Sequence, residues 1–266
     1  MLVVDAYFAR IEWGGTTRPT LETLAALLGA HMRHIPFENL DVLLGRPIRL
    51  DLDGLQRKLV HARRGGYCFE HATLFAAVLE ALGFAPVRHS ARVVLRVPRT
   101  ASPRSHMFLT LALPEGTYVV DPGFGSLAPE VPVPLDAATG ALASNPSHAL
   151  IRDGPYWTLR AHTDDRFVDC WVSTLEADNP VDFEVANHYT STHPASAFVN
   201  NVMLRALTGD GSVSVMNRDV TIREGAGVRT LQLADRASLR ALLAESFGVD
   251  LREVETLRVP AIPAWE

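Results

Sequence analysis

The chain has 266 residues, of which 47% are hydrophobic and 21% charged, and a formal net charge of −5. That balance belongs to a folded globular chain, not a disordered one. The acidic sign and the lack of a basic run argue against a surface built for nucleic acid or anionic membrane. In chain order, MLVVDAYFARIEW opens with an early Asp5 and no basic leader, so it does not read as a signal peptide. Within it, DAYFARIEW (5–13) has the pattern of a short amphipathic helix. TLETLAALLGAHMRHIPF (20–37) follows, with Thr20 as N-cap, Leu24, Leu27 and Leu28 on one face, and Pro36 as the stop. LDLDGLQRKLVHAR (50–63) reads as a third helix. Gly65-Gly66 break the pattern, and CFEHATLFAAVLEALGF (68–84) starts a fourth, with Ala72, Phe75, Ala76, Leu79 and Leu82 at helical spacing.

After Gly83 the period becomes two. ARVVLRV (91–97), HMFLTLAL (106–113) and TYVVD (117–121) read as strands, the last pair turning at Pro114-Glu115-Gly116. YWTLRAH (156–162) and FVDCWVST (167–174) form another pair around Asp164-Asp165. NPVDFEVANHYTSTHPASAF (179–198) reads as a connecting helix and loop. VMLRALT (202–208), GSVSVMNRDVTIREG (211–225) and VRTLQL (228–233) read as strands, and DRASLRALLAESFG (235–248) as a helix capped by Asp235 and stopped by Gly248. Helices, then strands, then a mixed end describe an α+β chain, not regular βαβ alternation. Boundaries fall near 84 and 190. No window holds the roughly 18 apolar residues a membrane span needs. Two cysteines, Cys68 and Cys170, make no disulfide framework, which points to a cytoplasmic location.

Cys68 stands where the glycine break meets a helix, and the unpaired amides of a first helical turn favour a thiolate. A packed core thiol is the alternative at this point. His106 opens one strand and Asp121 closes the next, so they share one end of a hairpin. With a four-residue loop over 113–116, Asp121 faces Phe108, two residues from His106 and on the same face. Such diagonal neighbours lie roughly 7–8 Å apart, within reach of an imidazole and a carboxylate; a three-residue loop would put them on opposite faces. The order Cys, His, Asp supplies a nucleophile, a base and an orienting carboxylate. DPGFGSLAP follows Asp121, and its two glycines permit close backbone approach to a ligand. No phosphate-loop or dinucleotide fingerprint is present. His61, Cys68 and His71 lack a CxxC or HExxH frame, so no metal is expected. Cys170, beside Trp171 and Val172, reads as core.

HIPFENLDVLLGRPI (34–48), RGGYCFEH (64–71), SHMFLTL (105–111), VDPGFG (120–125) and, more weakly, TSTHPASAFVNN (190–201) together resemble the arylamine N-acetyltransferase family. The resemblance implies an N-terminal helical bundle (1–84) with a nucleophilic Cys68, a central β-barrel (85–190) with His106 and Asp121, and a C-terminal mixed α/β lid (191–266). The triad arrangement would be cysteine-protease-like. It implies ping-pong acetyl transfer from acetyl-CoA to an arylamine, arylhydroxylamine or arylhydrazine, by a monomer or homodimer with no metal. An aromatic acceptor needs a flat apolar pocket; Phe37, Phe124 and Phe198, with Val93 behind them, are the candidates. Gly123 and Gly125 are candidates for admitting coenzyme A, and Arg64 with Glu38 for a structural ion pair. Two positions depart from the family pattern: Ala72 stands where Asn is usual and Pro122 where Val is usual. A thiol hydrolase or amide-forming cyclase on the same scaffold is the alternative.

Overall fold

The computed structural model describes residues 1–135, 147–163, 166–263 and 265. The first third is helical. Helix Leu21–His34 starts where the Thr20 side chain accepts from the Thr23 amide at 3.2 Å and ends before Pro36. The segment read as one helix over 50–63 is instead a single α-turn, Leu52–Leu55, capped by Asp51, that widens into a π-helix over Gln56–His61. Buried Gln56 sits at that change and holds the N-terminal segment, accepting from the Val3 amide and donating to the Met1 carbonyl. Helix Cys68–Ala81 is buried on almost every side, from Cys68 and Phe69 through Leu79. It is the central rod of the main core, against which Leu24, Leu28, Leu59, Met107 and Val120 pack.

Among the described residues, twelve strands follow the chain order β1 (Phe37–Glu38), β2 (Val87–Val93), β3 (Arg104–Leu113), β4 (Gly116–Val120), β5 (Val133–Pro134), β6 (His148–Asp153), β7 (Tyr156–Thr163), β8 (Arg166–Ser173), β9 (Met203–Thr208), β10 (Gly211–Met216), β11 (Asp219–Glu224) and β12 (Gly227–Gln232). Seven form one antiparallel sheet in the order β5-β4-β3-β2-β8-β7-β6, whose end strands β5 and β6 lie side by side, so it nearly closes into a barrel. The strand expected over 91–97 runs over 87–93 instead. A bulge between Ala91 and Arg92 re-aims it, its ladder to β8 ends at Val93, and Leu95 and Val97 leave the sheet exposed. Apolar alternation does not show where a strand runs out of partners. The turn expected at Asp164-Asp165 lies outside the described residues.

The second sheet has the order β1-β9-β10-β11-β12. Helix Arg236–Phe247 covers it through Leu239, Leu243 and Phe247, capped by Asp235 and ended by Gly248 at φ 64° as the sequence leads one to expect. β1 ties this sheet to the first third of the chain. It pairs with β9 on one side and bridges to Gly66 on the other. Among the described residues no helix is long and apolar enough to cross a membrane.

Candidate active site

The loop before Cys68 is held by contacts that only glycine permits. A Cβ on Gly65 would lie 2.0 Å from the Pro36 carbonyl oxygen, and one on Gly66 would lie 2.7 Å from the Glu70 carboxylate. The closeness lets the Glu38 amide donate to the Gly66 carbonyl at 2.8 Å and the Gly66 amide to the Pro36 carbonyl at 3.2 Å. The glycine pair is therefore a docking strip against β1 as well as a helix break.

Below it lies a buried ionic network. Arg64 donates twice to one oxygen of Glu38, at 2.6 and 3.0 Å, so the Arg64–Glu38 ion pair is present. Asp41 bridges Arg64 and Lys58, and Lys58 reaches Glu70 at 2.8 Å. The other Glu70 oxygen accepts from the Tyr67 amide at 3.1 Å, closing the cap of the Cys68 helix. Burial pushes the Glu70 carboxyl up, with Lys58 opposing. Burial alone would lower Lys58, but Glu70, Glu38 and Asp41 more than offset it and raise the ammonium.

A third buried set points the same way. Tyr7 donates to His31 Nδ1 at 2.9 Å, His31 Nε2 to His71 Nδ1 at 2.8 Å, and His71 Nε2 to the Pro36 carbonyl at 3.2 Å. Each group is satisfied as a neutral species. Burial accordingly lowers His71 to about 4 and His31 well below the usual imidazole value.

Across from Cys68, the β3–β4 hairpin turns on Pro114-Glu115, with Leu113 opposite Gly116 and Leu109 opposite Val120. Carried one step on, that register sets Asp121 opposite Phe108, on the face that carries His106. His106 Nε2 donates to Asp121 Oδ2 at 2.7 Å, and both residues are buried. The Cys68 thiol lies near enough to the same ring to help raise it, and with Nε2 occupied by Asp121, Nδ1 is the nitrogen left to face the sulfur. Cys68 Sγ also lies 3.8 Å from the Ser105 carbonyl oxygen. Burial alone would lower His106. The Asp121 charge and hydrogen bond, with a further contribution from Cys68, raise it instead to about 10. At neutral pH the ring is an imidazolium between a carboxylate and a sulfur.

Asp121 has two further donors. Trp171 Nε1 reaches Oδ2 at 2.9 Å and the Gly123 amide reaches Oδ1 at 3.3 Å. Trp171 on β8 is a site residue that the sequence reading missed. Strand alternation marks it as core, and nothing in its spacing to Asp121 announces an indole bond. Asn187, on helix Pro180–Thr192, was missed as well. It accepts a very short hydrogen bond from the Tyr67 hydroxyl and donates to the Ile48 carbonyl at 3.0 Å.

Of the residues expected to line an acceptor pocket, Phe124 lies edge-on to His106 at 4.9 Å between ring centres. Phe198 packs on Tyr67 at 5.3 Å and on Phe37 at 6.2 Å. Phe37, Phe124, Phe198 and Val93 are all half-buried, and Val93 sits opposite Trp171 in the β2–β8 ladder. Gly123 has another use than ligand approach: a Cβ there would stand 2.6 Å from Cys68 Cα and 3.1 Å from its carbonyl oxygen. Gly125, at φ 68°, takes a left-handed conformation in which an added Cβ would stand 3.4 Å from the Phe37 ring, and its carbonyl accepts from Arg205 at 2.9 Å. Ala72 is fully buried in the main core. Cys170 is buried in the barrel core, and burial pushes its thiol to about 12. Among the described residues no three His, Cys, Asp or Glu side chains form a metal-binding group.

A central helix carrying a buried cysteine, set against a nearly closed barrel carrying a bonded His–Asp pair, defines an α+β protein of the cysteine-protease-like class. Within that class, residues 20–256 match the model of the N-acetyltransferase family. The chain belongs to that family. It is 37% identical over 258 residues to the arylamine N-acetyltransferase of Mycobacterium tuberculosis, covering 95% of this chain and 91% of that one. The solved structure of arylamine N-acetyltransferase from M. tuberculosis superposes with a TM-score of 0.87 at 38% identity, covering 95% of this chain and 94% of the other. The Mycobacterium marinum arylamine N-acetyltransferase in complex with CoA gives 0.87 at 34% identity, covering 94% of each chain.

Proposed function

We propose that this chain is an arylamine N-acetyltransferase that moves the acetyl group of acetyl-CoA through a Cys68 thioester to an aromatic amine, hydroxylamine or hydrazine. The observation that carries the reading is the buried Cys68–His106–Asp121 constellation in a chain of this family. The Cys68 proton rests on His106 at neutral pH, as an imidazolium that the Asp121 charge holds. The thiolate sulfur attacks the thioester carbonyl, and the C–S bond to coenzyme A breaks. The departing CoA sulfur takes the proton back from His106, leaving acetyl-Cys68. The acceptor nitrogen then attacks the acetyl carbon, His106 removes its proton, and the acetyl–Cys68 bond breaks to regenerate the thiol. One thioester exchanges for another in the first half, so little driving force is lost before the amide forms. The amides of Cys68 and its neighbours in the first helical turn are the candidate donors to a developing oxyanion.

Half-buried Phe124 gives an aromatic acceptor a flat surface beside His106, and Phe37 and Phe198, packed on each other, offer a second one. Gly125, with its left-handed backbone, is the better of the two glycines for close approach by coenzyme A. Gly123 is already occupied by Cys68. We place the protein in the cytoplasm as a monomer or homodimer; both cysteines are unpaired. The test is incubation with acetyl-CoA followed by intact mass measurement. An acetyl adduct that disappears in Cys68→Ser and is discharged by an arylamine is expected. A reactive Cys68 that takes no acetyl group from acetyl-CoA would overturn the reading.

A further inference from the structure

Among the described residues three donors reach the Asp121 carboxylate, and they are not equivalent. His106 Nε2 bonds Oδ2 at 2.7 Å, but His106 is the group whose orientation is at stake. The Gly123 amide is long, at 3.3 Å from Oδ1. The residue between Asp121 and Gly123 is Pro122, which has no N–H, so the turn supplies no second backbone donor at that point. The Trp171 indole, at 2.9 Å from Oδ2, is the short bond that fixes the carboxylate independently of the imidazole. The indole itself is immobile. Trp171 is fully buried, stacks on Phe108 with 4.2 Å between ring centres, and stands opposite Val93 on one side and Leu159 on the other.

We infer that Trp171 is a positioning residue for the acetyl-transfer reaction, holding Asp121 so that Oδ2 meets His106 and His106 Nδ1 meets Cys68. The inference rests on the proposed roles of those three residues. An indole N–H only donates, so Trp171 carries no proton in any step and acts through the carboxylate alone. It stabilises the anion and stops the carboxylate rotating away from the imidazole. The other titratable groups that feel Asp121 are Cys170 and His148. Burial holds Cys170 protonated, with its thiol at about 12, and burial lowers His148, so neither brings a competing charge at neutral pH.

The experiment is the rate of Cys68 alkylation by iodoacetamide, followed from about pH 5 to 8, which needs neither acetyl-CoA nor an acceptor. Two replacements are compared: Trp171→Phe, and the benzothiophene analogue of tryptophan at 171, which keeps the bicyclic shape and lacks only the N–H. Loss of a hydrogen bond to a buried charge predicts slowing of roughly 10- to 100-fold near neutral pH in both. The acid limb of the profile moves to higher pH, because a carboxylate with one donor fewer holds its charge less well. A merely packing role predicts a defect in Trp171→Phe and none in the isostere. An isostere with the wild-type rate and profile therefore overturns the inference. His106→Gln serves as the control. If it alkylates at the wild-type rate, the roles assigned to the three residues fail first, and this inference falls with them.

Discussion

Gly123→Ala separates two accounts of the glycine turn after Asp121. The added Cβ would sit 2.6 Å from Cys68 Cα and 3.3 Å from its carbonyl carbon. Ordinary carbon contacts lie near about 3.5–4.0 Å, so the turn and the helix start must separate by roughly 1 Å. No flexible side chain can yield, since the atoms met are backbone. Overpacking of this kind costs ~1–3 kcal/mol, which at this chain length lowers Tm by about 2–4 °C for each kcal/mol. The larger effect is on the chemistry. A shift of about 1 Å between the cysteine and the His–Asp pair costs on the order of 100-fold in rate. The assays are thermal melting, iodoacetamide labelling of Cys68, and single-turnover acetylation by acetyl-CoA. Labelling and acetylation are expected to fall together. If Gly123 served only the passage of coenzyme A, Gly123→Ala would raise KM for acetyl-CoA and leave labelling untouched. That result would refute the steric account.

Asp121→Asn and His106→Gln are each expected to lower kcat by more than about 1,000-fold; near-wild-type turnover in Asp121→Asn would contradict the orienting role. Glu38→Gln leaves the Arg64 guanidinium buried without its main carboxylate and is expected to destabilise the fold by ~3–5 kcal/mol. A denaturant midpoint unchanged from wild type would show that Asp41 alone can hold Arg64. Stability is also expected to fall on both sides of neutrality. His71 is depressed to about 4 from an ordinary value near 6.5, so its contribution is present above about pH 6.5 and is lost as pH falls towards 4, by ~3 kcal/mol in all. His106 has the opposite sign. Raised to about 10, it contributes fully below about pH 6.5 and its share is lost as pH rises through 10. Urea midpoints across that range check both limbs, and a flat acid side would contradict the neutral His31–His71 pair.

The β3–β4 hairpin was legible because strand pairing is arithmetic. Once the turn is centred on Pro114-Glu115, the partner of every residue follows, and Asp121 falls on the His106 face. Cys68 was legible because a glycine break before an apolar helical run marks a helix start. What stayed hidden depends on contacts distant in sequence. β1 is two residues long, too short to have a period, and it is a strand only because β9 and Gly66 flank it. Trp171 and Asn187 reach their partners across 50 and 120 residues. No local pattern encodes either bond. The π-turn at Gln56–His61 was missed because its apolar spacing is close to that of an α-helix. The phenylalanines expected to face an acceptor could be singled out only as family positions, since a half-buried Phe has no signature of its own.

The place of β1 between Gly66 and β9 bears on how the chain is made. The loop that delivers Cys68 is hydrogen-bonded to a two-residue strand whose other edge waits for Met203–Thr208. During synthesis that edge stays open while more than half of the protein is still to emerge, and Arg205, which clasps the Gly125 carbonyl, emerges with β9. The hydrogen-bonded seat of the Cys68 loop is thus completed late, after the thiol has long left the exit tunnel. A chain cut short before residue 203 would keep the β3–β4 hairpin that pairs His106 with Asp121, but would lack the outer partner of β1 and the Arg205 clasp on Gly125.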